Sequence, residues 1–176
     1  LLEVLDIRDK TGDSIAKFVF SDDSGAYVVP GFEKSMVNTL NMLNFLGLGD
    51  LKKARVEAKR FQIAARYLKS EAENPPQNAL GYYLAGLTYE RLGRSDEALR
   101  YYLDALRLHT FPSLLPVLKR LAPTARAIPS ELQDVLDSSP GKVKPVKGGE
   151  IVVILALGRV PHKEPVRLPL GVAMQG

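Results

Sequence analysis

Apolar and small residues between positions 81 and 108 recur at spacings of three and four, and they do so in two runs. Tyr82, Ala85, Gly86 and Tyr89 share one helix face. After a break at Gly93, Ala98, Tyr101, Tyr102, Ala105, Leu106 and Leu108 keep nearly the same period. A glycine supplies the positive φ that ends a helix, and Arg91 in the turn before it suits the helix dipole. Ser95 reads as the N-cap of the second helix, with Asp96 and Glu97 in its first turn. Two antiparallel helices joined by so short a turn must pack closely. Gly86 and Ala98 are the small residues that permit this, and the tyrosines fill the space beside them.

A degenerate copy lies upstream. Matching Gly49 to Gly93 sets Phe45 on Tyr89, Ala54 on Ala98, Ala58 on Tyr102 and Phe61 on Ala105, an offset of 44 residues. Asp50 and Leu51 open the second helix of this copy. Asn38 stands where the aromatic would be, and Met42 replaces Gly86. The second helix is prolonged, because Leu51, Ala54, Ala58, Phe61, Ala65, Leu68 and Ala72 alternate in steps of three and four. Such a narrow seam buries against another helix, and Asn74-Pro75-Pro76 stops it. Asn38, Asn41 and Asn44 form a polar line on the first helix, readable either as amides that grip a peptide backbone or as a solvated face.

The pattern beyond the repeats is mixed. Residues 1–32 read as a loop and strand segment packed on the helices, with an opening Leu1-Leu2-Val4-Leu5 that resembles a helix end. Asp22 and Asp23 fall in a turn cluster that lacks the ligand spacing of a calcium loop. Residues 33–137 form the helical domain: repeats over 33–73 and 77–110, then capping helices over 111–137. In that last stretch Pro112 opens one helix and Ser130 caps another. Residues 138–149 are Pro-, Gly- and Lys-rich and read as a linker. Residues 150–176 read as a β-hairpin, from the apolar run 150–157 and a return strand broken by Pro169. A lone hairpin is marginal in water, so it is expected either to pack on the helices or, the favoured reading, to begin a β-domain. The fold expected is mainly α, a solenoid fragment of αα-hairpins with a C-terminal β-hairpin.

GYYLAGLTYERLGRSDEALRYYLDALRL, residues 81–108, resembles the tetratricopeptide repeat (TPR) signature of large and small residues in a helix–turn–helix unit. The upstream copy exceeds the usual period of about 34 residues. The chain as a whole is similar to a group of poorly characterised bacterial TPR proteins, many of them predicted cell-envelope lipoproteins. Three stretches carry that likeness: LLEVLDIRDKTGDSIAKFVFSDDSGAYVV, the repeat pair, and GGEIVVILALGRVPHKEPVRLPLG. The group's pattern implies further TPR units before this region, a β-rich portion after it, and a periplasmic or outer-membrane-associated location. The group's lipid-attachment cysteine has no counterpart here, so a lipid anchor would lie outside this chain.

TPR proteins that clamp C-terminal carboxylates use Lys and Asn on the concave face. The matching positions here are Thr39 and Leu43 in the first repeat and Tyr83 and Leu87 in the second, so that clamp is absent. What remains is a more apolar groove rimmed by Glu90 and Arg91, suited to an amphipathic helix or apolar peptide. These six residues are the candidate partner-binding set, with packing against a neighbouring repeat as the competing account.

Charge and composition narrow the function classes. The net charge is +4 and 45% of residues are hydrophobic, enough to bury a core. Lys52, Lys53, Arg55, Lys59 and Arg60 lie on a helix whose apolar seam is already occupied, and read as a solvated face. Cysteine is absent, which removes disulfides and thiolate chemistry and suits either the cytoplasm or a Cys-free periplasmic protein. His109 and His162 are the only histidines, and no metal spacing, nucleophile motif or phosphate loop accompanies them. No enzyme activity, cofactor or metal is expected. The sequence therefore points to a non-catalytic scaffold or adaptor with a protein or peptide partner. The alternative is a nucleic-acid or anionic-membrane binder acting through the helices and the linker lysines Lys142, Lys144 and Lys147, although the basic groups lack the density nucleic acid needs.

Overall fold

A computed structural model of the chain describes residues 31–71, 77–138 and 152–155. Six α-helices occur among them: α1 Gly31–Gly47, α2 Leu51–Glu71, α3 Ala79–Arg91, α4 Ser95–Leu108, α5 Leu114–Leu121 and α6 Ser130–Asp137. A single 3₁₀ turn, Ala122–Thr124, follows α5. The protein is thus mainly helical, and no strand occurs among the described residues. The chain divides into two units, Leu1–Val143 and Lys144–Gly176.

α1 and α2 pack as one pair, α3 and α4 as another, and α3 also lies against both α1 and α2. The two pairs turn in the same way. Gly49 and Gly93 adopt φ of 72° and 68°, the left-handed region that only glycine enters without strain. Around Gly49, the amides of Leu48, Gly49 and Asp50 donate to the carbonyls of Asn44, Leu46 and Phe45 at 3.0, 3.1 and 2.9 Å. Around Gly93, the amides of Leu92, Gly93 and Arg94 donate to those of Thr88, Glu90 and Tyr89 at 3.2, 2.9 and 2.9 Å. Every donor and acceptor is displaced by the same 44 residues. An aromatic residue in each turn carries a cation over its ring, Lys53 on Phe45 and Arg94 on Tyr89.

The cores match as well. Ala54, Ala58 and Phe61 of α2 and Ala98 and Ala105 of α4 are fully buried, and Tyr102 nearly so. Bulk has changed sides between the pairs: Met42 and Ala58 in the first stand where Gly86 and Tyr102 stand in the second. The greater spacing of the repeats comes from α2, which has 21 residues against 14 in α4.

The second pair docks on the first through the start of α3. Asn78 is its N-cap, accepting the Gly81 amide at 2.8 Å. Its amide nitrogen donates to Ser35 Oγ and Thr39 Oγ1, both at 3.0 Å, on α1. Those hydroxyls donate in turn to the carbonyls of Phe32 and Ser35 at 2.8 Å, so the buried polar groups are all used. Close by, the Cα of Gly81 lies so near the Phe61 ring that a Cβ there would come within 2.3 Å of it.

Several boundaries differ from the sequence reading. α1 starts at Gly31 rather than after residue 32. Arg94, not Ser95, is the N-cap of α4, and the Ser95 hydroxyl bonds to Thr124 at 2.7 Å instead. α5 begins at Leu114, two residues beyond Pro112, and Pro129 rather than Ser130 precedes α6. These shifts are of one or two residues, and neither Ser95 nor Ser130 stands at the N-cap position of its helix. Arg107 forks onto Glu131 at 3.0 and 2.6 Å, and Asp96 accepts the Arg126 amide at 2.7 Å, fastening the 122–131 stretch to α4.

The expected β-hairpin over 150–176 is not seen. Only residues 152–155 of that stretch are described, and they form neither strand nor helix. Val153 and Leu155 are 72% and 76% exposed, where burial on both faces was expected, and no described residue supplies the ladder a strand requires. The segment over 1–30, the Asn74-Pro75-Pro76 stop, residues 139–149 with the linker lysines, and His162 lie outside the described residues.

Candidate functional site

The six residues expected to line a binding groove do not stay together. Thr39 is fully buried beneath Asn78 and Gly81, so it is no groove residue; its hydroxyl satisfies the α3 cap. Tyr83 and Glu90 face the segment that follows the second pair. The Tyr83 ring lies 5.8 Å from that of Tyr102 and 5.3 Å from that of Phe111. Glu90 accepts the Tyr102 hydroxyl at 2.5 Å and an ion pair from Arg120 of α5 at 2.5 Å. Leu87, between them on the same helix, is half-buried. Glu90 is therefore an internal acceptor rather than a groove rim. Only Leu43 and Arg91 remain exposed.

Burial raises the pKa of the Tyr102 phenol above the ordinary range, and the Glu90 carboxylate raises it further. The phenol thus stays a donor to Glu90. Tyr101 is raised by burial and by its neighbour Tyr89, whose ring stacks on it at 5.3 Å. The Tyr101 hydroxyl donates to Gln62 of α2 at 3.0 Å, a second bridge between the pairs.

Leu43 belongs to a larger apolar stretch that spacing alone did not isolate. Val37 and Leu40, on the same side of α1, are 46% and 50% exposed. The polar line beside them divides: Asn44 is exposed, Asn38 and Asn41 are half-buried. On α2 the seam is buried as expected at Ala54, Ala58, Phe61 and Leu68, yet Val56, Ile63 and Tyr67 project on the opposite side. Their steps of seven and four form a second apolar series, visible in the sequence once the seam is set aside.

Cations flank that series. Lys53 and Arg60, on one side, pair with Asp50 and Glu57 at 3.0 Å each. Lys52, Lys59 and Arg66, on the other, form no ion pair with a described residue. Glu57 is buried, and only one of its oxygens has a partner among the described residues.

Two concavities open between the pairs. A cavity of about 310 Å³ is lined by Ser35, Phe61, Asn78, Tyr82 and Arg107, among others. A cleft of about 530 Å³ runs between α2 and α4, with Gln62, Arg66, Arg100 and Tyr101 on its walls. His109 is exposed, and its ring meets that of Phe111 nearly at right angles, the centroids 5.1 Å apart. No group of three or more His, Cys, Asp or Glu capable of holding a metal occurs among the described residues. No described helix is long and apolar enough to cross a membrane. Comparison with protein-family models, curated proteins and solved structures found no match to this chain.

Proposed function

We propose that this chain is a non-catalytic helical-repeat scaffold of the tetratricopeptide type that holds a protein partner, within a cell-envelope complex as the sequence resemblance implies. The observation that carries the repeat reading is the duplicated turn. Three backbone hydrogen bonds, a left-handed glycine and an aromatic at the end of the first helix recur at one fixed offset, and each aromatic ring carries a cation. A module duplicated in this way builds a framework by stacking, and each pair leaves side chains on its outer surface.

The binding surface lies on α1, where Val37, Leu40 and Leu43 are exposed in a row. Three exposed apolar side chains along one helix suit an apolar or amphipathic segment of another polypeptide. Arg91 remains a candidate contact on α3.

A photo-crosslinking amino acid at position 40 or 43, introduced in cells that make the protein, tests this directly. Discrete protein adducts that disappear when Val37 is changed to Asp support the scaffold reading. Adducts to nucleic acid or lipid alone, or no adduct at either position, overturn it.

A further inference from the structure

We propose that the outer face of α2 is a second docking site on this scaffold, and that its occupant is an acidic amphipathic helix of a partner protein. The inference rests on the scaffold reading and adds the surface and the partner's chemistry.

The face is fixed in place. Ala54, Ala58 and Phe61 on the inner side of α2 are fully buried, so the helix cannot roll to hide its outer side. There Val56, Ile63 and Tyr67 are 45%, 69% and 55% exposed. Positions 56 and 63 are seven apart and 63 and 67 four apart, the spacing at which one helix presents knobs to another.

The charge along this series is one-sided. The cations on the first edge are neutralised by their own helix or by the turn before it. Those on the second edge, Lys52, Lys59 and Arg66, are seven residues apart and form no ion pair with a described residue. Seven residues advance a helix by about 10.5 Å and almost two full turns, so the three cations line up nearly parallel to the axis. A partner helix with Glu or Asp at the same interval along one edge meets all three while its apolar seam covers the series.

Other occupants fit less well. A second copy of this face brings the same row of cations together, which repels. Duplex nucleic acid carries a charge about every 1.7 Å of axis, far denser than a row of three. A membrane surface needs a broad apolar helix face to enter the headgroup boundary, and here the broad face is the buried one. The cleft that Arg66 helps to line also holds Arg100 and the Tyr101–Gln62 pair, and its two carboxylates, Glu97 and Asp104, are engaged by Arg94 and Arg107. A plane of lipid headgroups cannot enter that cleft; side chains of a docked helix can.

The probe is a synthetic 21-residue amphipathic peptide with leucines along one seam and glutamates at heptad spacing along one edge. A control peptide carries lysine for every glutamate. Both are titrated against the whole chain by fluorescence anisotropy. The acidic peptide is expected to bind and the lysine peptide not to. Replacing Ile63 and Tyr67 with Ser should weaken binding by about tenfold or more. The triple variant Lys52→Glu, Lys59→Glu, Arg66→Glu should reverse the preference in favour of the lysine peptide, an outcome that misfolding cannot produce. Failure of the acidic peptide to bind, or equal binding by the triple variant, overturns the proposal. So does tighter binding of phosphatidylserine vesicles or of a 20-nucleotide single strand. If the peptide fails while cross-links at positions 40 and 43 persist, the α2 site is lost and the scaffold reading stands. The reverse pattern overturns the scaffold reading argued from α1 and leaves the α2 face only as a peptide-binding surface.

Discussion

A Cβ placed on Gly86 would lie 2.5 Å from Cδ1 of Tyr102. Tyr102 has no room to withdraw, being 1% exposed and tied through its hydroxyl to Glu90. The glycine is therefore the space into which α4 packs. Gly86→Ala sets two effects against each other. In an unhindered helix interior the change gains about 1 kcal/mol from backbone entropy. Overpacking a core site costs about 1–3 kcal/mol, and here the contact is with an anchored ring. We expect net destabilisation by urea unfolding. In a Tyr102→Leu background the sign should invert, because the flexible side chain can yield; a loss of the same size in both backgrounds would exclude the ring as its cause.

Asn78 holds two helices with one amide. Asn78→Ala removes the N-cap bond to Gly81 and both donors to α1, leaving Ser35 and Thr39 without them. A cap is worth about 1 kcal/mol, and each buried bond about the same, so a loss of about 2–3 kcal/mol is expected. Thr39→Val keeps the shape and deletes one acceptor, at about 1–2 kcal/mol. The double variant should cost less than the sum of the two, since they remove one shared contact. Partner cross-linking at position 43 should survive Thr39→Val, in keeping with a hydroxyl that faces inward.

The helices, the two glycine turns and the α2 seam were all legible, because periodicity and a left-handed glycine are local properties. The groove was not. Periodicity names the face on which Tyr83, Leu87 and Glu90 sit, but nothing local says that Phe111 and Arg120 will meet Tyr83 and Glu90. Thr39 illustrates the same gap: a hydroxyl on a helix reads as surface until Asn78, 39 residues away, arrives with a donor. Ser95 and Ser130 have the right chemistry for caps, yet the backbone enters each helix one residue earlier. Val56, Ile63 and Tyr67 do not stand out in the pattern because α2 already has one apolar seam, and a second is not needed to explain a helix. The run 150–157 has strand composition, but a strand also needs a neighbour, and composition cannot supply one.

Alkaline conditions should weaken the fold in a defined window. The Tyr82, Tyr101 and Tyr102 phenols are all raised above their ordinary value, burial being the largest cause in each. The folded chain therefore holds these protons more tightly than the unfolded chain, in which they leave near pH 10. Their contribution is complete below that pH and is lost as pH rises through the folded values. Urea midpoints should be flat from pH 8 to about pH 9.5 and fall beyond it. Tyr102→Phe should start lower, by about 1.5–3 kcal/mol for a bond to a charged acceptor, and decline less steeply. A parent and variant with parallel declines would show that Tyr102 is not among the groups responsible.

Acid should act on a different part of the molecule, the attachment of α6. The hydrogen bond from Arg107 is the chief cause that holds the Glu131 carboxyl below the ordinary range, and the same pair raises Arg107. A carboxyl depressed in this way favours the folded arrangement above its unfolded value, near pH 4.3. That support disappears as pH falls through the lower, folded value. Both partners are exposed, so the pair is screened by salt and its effect is local rather than global. Hydrogen exchange is the suitable measurement, since it reports the opening of one helix while the rest stays closed. Amides of α6 should lose protection between pH 5 and pH 3 relative to those of α3 and α4, after correction for intrinsic rates. Glu131→Gln should lower α6 protection at pH 6 to the acid level and abolish the step. High salt should do the same to the parent chain. If α6 protection instead follows α3 at every pH, the bidentate pair adds nothing to its docking, and Leu132, fully buried on its inner side, holds the helix alone.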